Sequence, residues 1–227
     1  MKKLLLSLVF SAATAFPVLA DPIPLSALSQ YLNALQTAEG RFAQINADGS
    51  RSDGTIYIQR PGRMRFEYDG DDLLVIAGGG QVAIFDGRGN SRPEQYPLRQ
   101  TPLNLILRNN VDLEASGMVT VLESDGAHTR VTAQDPETPE IGTITMVFSE
   151  EPVQLRQWVI TDQLGAQTTL MLEDFDEGVR IGARLFNIPQ KIFTVLILYL
   201  ICFSTTLITI VFSVMWNYKI TWTTRSI

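Results

Sequence analysis

The sequence predicts a mainly β protein with two short helices (α+β), whose strands form an antiparallel meander, a sandwich or an open barrel. Three observations lead to this fold class. Short runs that alternate apolar and polar residues recur along the chain, which is the spacing of half-buried strands. Clusters of Gly, Pro, Asp and Ser separate these runs at regular intervals. Only two segments before residue 190 have the apolar spacing of an amphipathic helix.

The clearest strand pair lies at residues 54–68, where two alternating runs, 55–59 and 63–68, flank the turn Arg60-Pro61-Gly62. One face of this pair is predicted to carry every second residue: Ile56, Ile58, Arg60, Met64, Phe66 and Tyr68. An arginine in an apolar row needs a partner or water, because burying an unpaired guanidinium is costly. Arg60 is either a strand-end arginine that reaches solvent, or it lies at the mouth of an apolar cavity and bonds a movable element.

The first 20 residues have the pattern of a secretory signal peptide. Lys2 and Lys3 give a positively charged start, residues 4–10 are apolar, and Val18-Leu19-Ala20 provides a small-residue cleavage site. We therefore expect the protein to be secreted and its folded part to begin at Asp21.

Residues 21–190 form an acidic domain, with 13 arginines and no lysine against 24 Asp and Glu, which gives a net charge of −11. A domain with this charge does not suit nucleic acid or the surface of an anionic bilayer, and the acidity is typical of a well-solvated surface. The single cysteine, Cys202, lies outside this range. The domain is therefore expected to rely on its apolar core rather than on a disulfide.

Two helices are predicted. Residues 24–37 carry one apolar stripe at helical spacing, formed by Leu25, Leu28, Leu32 and Leu35. Residues 101–108 form a second, short helix, with Thr101 as its N-cap and Pro102 at its first helical position. One face of this second helix is apolar and carries Leu103, Ile106 and Leu107.

The remaining runs are predicted strands. Residues 41–46 alternate, and a polar turn at 48–53 follows them. Residues 73–77 and 81–85 form a hairpin through Gly78-Gly79-Gly80, which lacks the Lys-Ser/Thr and the following helix of a phosphate-binding loop. After a loop at 86–93 and the second helix, six more strands are predicted, at 118–123, 129–133, 143–148, 155–161, 168–172 and 179–181.

The residues of catalytic and metal sites are scarce. His128 is the only histidine, and no cysteine lies within residues 21–190, so a nucleophilic triad and a zinc site have no ligand set. The acidic run 173–177 lacks the spacing of a calcium loop and favours a solvated hairpin turn. We therefore predict a protein that is not an enzyme and needs no metal or cofactor.

The C-terminal tail, residues 191–227, differs from the rest of the chain. Residues 192–216 contain no charged side chain, and as a helix they would span roughly 37 Å, enough to cross about 30 Å of hydrocarbon. Trp216 and Tyr218 lie where aromatic residues favour the membrane interface, and Lys219 and Arg225 follow. The pattern predicts a transmembrane helix over 192–216 with a cytoplasmic C-terminus. The abrupt change of composition equally fits a fused or frame-shifted end.

Several motifs together resemble the LolA family of periplasmic carriers of outer-membrane lipoproteins. The resemblance covers residues 21–190. It rests on F-x-Q at 42–44, G-x-I-x-I-x-R-P at 54–61, T-P-L-x-L-I-L-R at 101–108, T-D-Q-x-G within 159–165 and F-x-I-P at 186–189. The R-P after alternating apolar residues and the T-P-L helix are the most specific of these pieces.

The resemblance implies an open, highly curved antiparallel half-barrel that encloses an apolar cavity, with short helices as a lid. It also implies a monomeric periplasmic chaperone that takes acylated lipoproteins from an inner-membrane ATP-driven transporter and hands them to an outer-membrane receptor of the same fold. By position, Arg60 matches the family arginine that holds the lid closed. The cavity would be lined by Ile56, Ile58, Met64 and Phe66, and the underside of the lid by Leu28, Leu32, Leu103 and Ile106.

Two alternatives stay open on the sequence alone. Each of these apolar residues also fits an ordinary core position. The tail departs from the soluble members of the family, since a tethered domain cannot shuttle across the periplasm. The alternative function is therefore an inner-membrane-anchored lipid-binding or envelope-stress-sensing domain of the same fold.

Overall fold

The described part of the chain folds into one eleven-stranded antiparallel sheet with short helices on one face. The computed structural model describes residues 21–70, 72–88, 93–115, 117–189 and 192. The strands are β1 (Thr37–Ile45), β2 (Arg51–Gln59), β3 (Arg63–Tyr68), β4 (Leu73–Gly78), β5 (Gln81–Asp86), β6 (Glu94–Pro97), β7 (Val119–Ser124), β8 (His128–Gln134), β9 (Thr143–Ser149), β10 (Gln154–Thr161) and β11 (Gln167–Glu177). The helices are α1 (Leu25–Ala34) and α2 (Asn104–Leu107), with 3-10 turns at Leu98–Gln100, Pro139–Ile141 and Ala183–Phe186.

The sheet is open, because its two edge strands, β6 and β7, do not pair with each other. The order is β6-β5-β4-β3-β2-β1-β11-β10-β9-β8-β7, so β1 and β11 join two meanders. The sheet is also curved. Val75 on β4 and Trp158 on β10 line the same cavity although four strands lie between them. In a flat sheet, five strand spacings would separate β4 from β10 by roughly 24 Å. Among the sequence-based alternatives, the open curved sheet is the fold that forms.

The central hairpin forms as predicted. Ile56 pairs with Phe66 and Ile58 with Met64, and these side chains are buried on the inner face. Gly54 precedes them because no larger residue fits: an added Cβ would lie 2.2 Å from the carbonyl oxygen of Glu67 and 2.6 Å from the ring of Phe42. The G-x-I-x-I pattern therefore follows from packing, with glycine where the Phe42 ring crosses the strand.

Both helices are shorter than predicted. α1 ends at Ala34, and β1 already begins at Thr37, four residues before the predicted strand. α2 has only four residues, and its N-cap position is Leu103. The hydroxyl of Thr101 donates to the carbonyl of Leu98 at 2.8 Å, so Thr101 closes the preceding 3-10 turn and the N-cap prediction is wrong.

Three strand predictions need correction. β2 begins at Arg51, inside the predicted polar turn, because Arg51–Asp53 pair with the end of β1. The acidic run 173–177 belongs to β11 and pairs with β1, so it is not a solvated hairpin turn. Residues 179–181 are not a strand. β6 was not predicted, since its sequence has no alternating apolar pattern.

The sheet is covered on both faces. One core lies on the inner face, between the sheet and α1 and α2. A second, smaller core lies on the outer face, where the C-terminal segment 181–189, together with Ile192, packs its apolar residues over β4 and β5. Phe186 lies so close that a Cβ on Gly78 would be 2.3 Å from its carbonyl oxygen.

Two sequence predictions fall outside the described residues: the signal peptide at 1–20 and, beyond Ile192, the transmembrane helix over 192–216. No helix within the described residues is long and apolar enough to cross a membrane. The division into domains at residues 20 and 190 stays a prediction.

Candidate functional site

A cavity of about 480 Å³ lies on the inner face of the sheet, between its two halves. Its walls come from β3, β4 and β5 on one side and from β10 and β11 on the other, and residues 100–103 cover it. The apolar part of the lining is Phe66, Val75, Val82, Leu103, Ile141, Trp158, Ile160, Leu164 and Leu170. The polar part is Gln44, Tyr68, Gln100, Thr101, Asp162, Gln163 and Thr168, and the Tyr68 hydroxyl donates to Oε1 of Gln44 at 2.8 Å. The cavity can therefore take an apolar chain with a polar end.

The predicted lipid-binding residues divide into two groups. Phe66 and Leu103 line the cavity. The other six do not, and are buried against one another between the sheet and the lid: Leu28, Leu32, Ile56, Ile58, Met64 and Ile106. We define the lid as α1 together with residues 98–113. In this closed arrangement, the second group serves as core, and acyl chains would reach it only if the lid moved.

Arg60 lies at the turn of the central hairpin, away from the cavity, and is hydrogen-bonded to the lid. Its Nη2 donates to the carbonyl oxygen of Arg108, immediately after α2, at 2.6 Å. The backbone N–H of Gly62 donates to the carbonyl of Leu107 at 2.9 Å. We call these two contacts the latch. The backbone N–H of Arg60 also donates to Gln36 at 2.8 Å, between α1 and β1.

The guanidinium of Arg60 is buried without full compensation. Its residue is only 7% exposed, and Nε and Nη1 have no hydrogen-bond partner among the described residues. No carboxylate in the described part of the chain pairs with it, and burial lowers the pKa of Arg60. An unsatisfied buried polar group costs about 1–3 kcal/mol, while a hydrogen bond to a charged group contributes about the same. The latch is therefore near energetic balance.

Arg108 is also held from the other half of the sheet. Its side chain pairs with the carboxylate of Asp135, directly after β8. The second oxygen of Asp135 accepts a hydrogen bond from the backbone N–H of Glu137 at 3.0 Å, which fixes the carboxylate. Arg60 and Asp135 thus hold one lid residue from both halves of the sheet.

The helix α1 is anchored by hydrogen bonds of two of its polar side chains. The Tyr31 hydroxyl donates to Glu177 at 2.6 Å and accepts from the backbone N–H of Leu155 at 3.1 Å. Burial, with the bond to Glu177, raises the pKa of Tyr31. Asn33 bonds both backbone groups of Val111, at 2.8 and 2.9 Å. The two parts of the lid are therefore coupled to each other through Asn33.

Sequence reasoning missed part of this site. Trp158, Ile160 and Leu170 lie on predicted strands, and their alternation marks them as one face, but the sequence does not say which face meets the cavity. Asp135 is 27 residues from Arg108, and Asn33 is 78 residues from Val111. Contacts over such separations leave no local pattern. Among the described residues, no cluster of three or more His, Cys, Asp or Glu could hold a metal.

The chain is an open antiparallel sheet that holds an apolar interior beneath a lid, and proteins with this architecture form one structural class. Within this class, the chain belongs to the LolA family, since residues 33–189 match the family described as "Outer membrane lipoprotein carrier protein LolA". This match confirms the family resemblance that the sequence motifs indicated. The family is one of binding proteins and carriers rather than enzymes.

Related proteins carry the same description. An outer-membrane lipoprotein carrier protein of Legionella pneumophila (strain Corby) is 36% identical over 181 residues, which cover 72% of this chain and 85% of that protein. The protein of the same name from Coxiella burnetii (strain CbuK_Q154) is 25% identical over 170 residues, 70% of this chain and 80% of that protein. A solved LolA superfamily protein from Nitrosomonas europaea aligns over 74% of this chain and 99% of its own, with a TM-score of 0.38 and 9% identity.

Proposed function

We propose that the chain carries acylated lipoproteins through the periplasm, from an inner-membrane ATP-driven transporter to an outer-membrane receptor of the same fold. The observation that carries the proposal is an apolar interior closed by a lid whose latch arginine is buried and incompletely bonded. Exposing an acyl chain to water costs about 0.8 kcal/mol per methylene. A lipoprotein with several chains therefore needs an enclosure in transit, and an empty enclosure needs a way to hide its own apolar surface.

The lid supplies that second requirement. In the closed form, Ile56, Ile58 and Met64 on the sheet pack with Leu28, Leu32 and Ile106 of the lid. When acyl chains enter, each of these side chains exchanges a protein neighbour for a lipid neighbour, so its burial is conserved. The ligand then needs to favour the open form by more than the latch and the other hydrogen bonds of the lid favour the closed one.

Arg60 is the gate in this proposal. Opening frees the carbonyls of Leu107 and Arg108 from the latch and exposes the guanidinium to solvent, where all its donors can be satisfied. Because Nε and Nη1 of the buried guanidinium have no partner among the residues that the structure describes, little net free energy is lost on opening. A latch of this kind lets cargo enter and also lets it leave. The carrier acts as a monomer and needs no cofactor.

A vesicle transfer assay tests the function. A fluorescent triacylated lipopeptide is placed in donor vesicles, and its arrival in acceptor vesicles is followed with and without the full chain. We expect the wild-type protein to accelerate transfer and to form a complex with the lipopeptide. Ile58→Glu places a charge on the inner face and should abolish both.

The matched control is Gln59→Glu, which introduces the same side chain one position along β2, on the outer face. It keeps an acceptor for Arg63, whose Nη1 donates to Gln59 at 2.8 Å. Phe66→Glu, at the cavity wall, provides a second inner-face variant. Circular dichroism shows whether each variant is folded. Wild-type transfer by both folded inner-face variants, or no transfer by the wild type, would refute the proposal.

A further inference from the structure

The cavity and the latch lie at different ends of the inner face. Arg60 directly follows β2 and is four residues from Ile56, whose partner on β3 is the cavity residue Phe66. At about 3.3 Å per residue, this separation is roughly 13 Å. None of the four latch residues is among those that line the cavity. The space at the cavity end therefore exists while the latch is closed.

The cavity opens to solvent at its own end. Its rim is formed by the β10–β11 turn and by Gln100, and the side chains there are exposed. Leu164, at the tip of this turn, is 93% exposed and borders the opening. Apolar walls formed by Trp158 and Ile160 lie further in. A chain can enter from this end without passing beneath α2.

The volume limits what the closed form can hold. One water molecule takes about 30 Å³ of liquid, and a methylene group is of similar size, so the cavity of about 480 Å³ holds roughly 16 such groups. This is the size of one long acyl chain. Three chains need roughly three times that volume. The protein can offer this volume only when the lid moves away from the sheet.

The rim also selects the head group. Asp162 lies at the opening, and the residues that line the cavity include no lysine or arginine. With no lysine or arginine among the described residues that line the cavity and a net charge of −11 over residues 21–190, a free carboxylate is disfavoured there. The polar groups that line the cavity, among them Gln44, Gln100 and Thr168, suit a neutral or zwitterionic head group.

We propose that the closed protein binds a single acyl chain with an uncharged or zwitterionic head group in this cavity, with the latch intact. The proposal rests on the proposed function and makes it more specific: ligands with one chain bind independently of Arg60, and only ligands with several chains require the lid to open. The first chain of a lipoprotein would then enter at the β10–β11 turn before the latch opens.

Tryptophan quenching tests this proposal in the full chain. Trp216→Phe and Trp222→Phe leave Trp158 as the single tryptophan of the three, and Trp158 lines the cavity. The probe is lysophosphatidylcholine with a brominated acyl chain, used below the concentration at which it forms micelles. We expect saturable quenching whose midpoint shifts less than twofold in Arg60→Leu. Ile160→Glu should weaken binding at least tenfold, whereas Val159→Glu, on the opposite face of β10, should not.

Several results would overturn the proposal. They are an absence of quenching, equal weakening by Ile160→Glu and Val159→Glu, a brominated fatty acid that binds as tightly as the lysolipid, or a large shift of the midpoint in Arg60→Leu.

The vesicle assay with the triacylated lipopeptide separates this proposal from the proposed function. If the lysolipid quenches Trp158 but the lipopeptide is not transferred, the carrier function fails while the single-chain site stands. The reverse result refutes the single-chain site alone.

Discussion

Two arginines on the central hairpin face opposite sides of the sheet and are bonded very differently. Arg65, on the outer face, donates to Glu67 at 2.6 Å and to the carbonyl of Leu185 at 2.9 Å. Arg60, on the inner face, also donates to a backbone carbonyl, but two of its nitrogens have no partner in the described part of the chain and no carboxylate balances its charge. Both arginines hold a neighbouring segment, yet only Arg65 does so with its charge compensated.

The two arginines hold their neighbouring segments with different strength. A compensated arginine stabilises the attachment of a segment that stays in place, here the C-terminal segment over β4 and β5. An uncompensated arginine holds a segment only weakly, because the cost of its buried N–H groups offsets the hydrogen bond that it makes. The outer face carries another compensated pair, Arg41 with Asp69, in which the arginine lowers the pKa of the Asp69 carboxyl. The inner face has the arrangement that a movable lid requires.

The largest effect is expected from Arg60→Leu on ligand retention. Leucine removes the latch bond from the closed form. In the filled, open form it also replaces a solvent-facing guanidinium with an apolar side chain that contacts acyl chains, so the open form gains stability relative to the closed one. If this gain is about 1.5–3 kcal/mol, retention rises roughly tenfold to a hundredfold. The measurement is the fraction of triacylated lipopeptide that stays on the protein at equilibrium with acceptor vesicles. Arg60→Lys keeps the charge without the planar guanidinium and should be intermediate.

Arg65→Leu is the control that gives this result its meaning, because the same change on the outer face should leave retention unchanged. Equal retention by wild type and Arg60→Leu would show that Arg60 is only a strand-end residue. A rise in both variants would show that added apolar surface anywhere on the hairpin has this effect.

A smaller effect, on stability, is expected from Arg65→Leu. The change leaves the Leu185 carbonyl without its donor and Glu67 without its partner, so the free energy of unfolding should fall by about 1–2 kcal/mol. Arg60→Leu should change it by less, because replacing a poorly compensated buried charge with an apolar side chain is often neutral or stabilising. Urea unfolding of both variants gives the comparison, and hydrogen exchange should show lost protection in residues 181–189 for Arg65→Leu alone. A larger loss of stability in Arg60→Leu would reverse our assignment of the two roles.

The strands of the sheet differ in how well the sequence predicts them. Alternation identified the central hairpin and its inner row, because one face of each strand is buried and a shift by one residue would expose it. The turn at Gly78-Gly79-Gly80 was also clear. The strand β6 could not be found, because its position depends on pairing with β5 rather than on its own residues.

The site was less predictable than the fold. The sequence placed Arg60 correctly in the apolar row, but its partner, the carbonyl of Arg108, is 48 residues away. The closed lid also changes which residues meet open space: Ile58 and Met64 are packed, whereas Trp158 and Ile160 line the cavity. Periodicity assigns a residue to a face, and only the position of the lid decides whether that residue meets protein or a cavity.

The smallest effect is expected from Asp135→Asn, which weakens the hold on the lid without touching Arg60. Arg108 is bonded through its carbonyl by Arg60 and through its side chain by Asp135. Since the Arg108 side chain is 31% exposed and that of Asp135 is 11% exposed, the pair should contribute only about 0.5–1 kcal/mol to the closed form. Asparagine should therefore raise lipopeptide retention roughly two- to fivefold.

Asp53→Asn, which removes the exposed pair with Arg51 on the outer face, is the matched control and should change nothing. Because both contacts act through Arg108, the double variant with Arg60→Leu should gain less than the product of the two single effects. A fully multiplicative gain, or no gain in Asp135→Asn, would show that Asp135 and Arg60 do not hold the same lid residue closed.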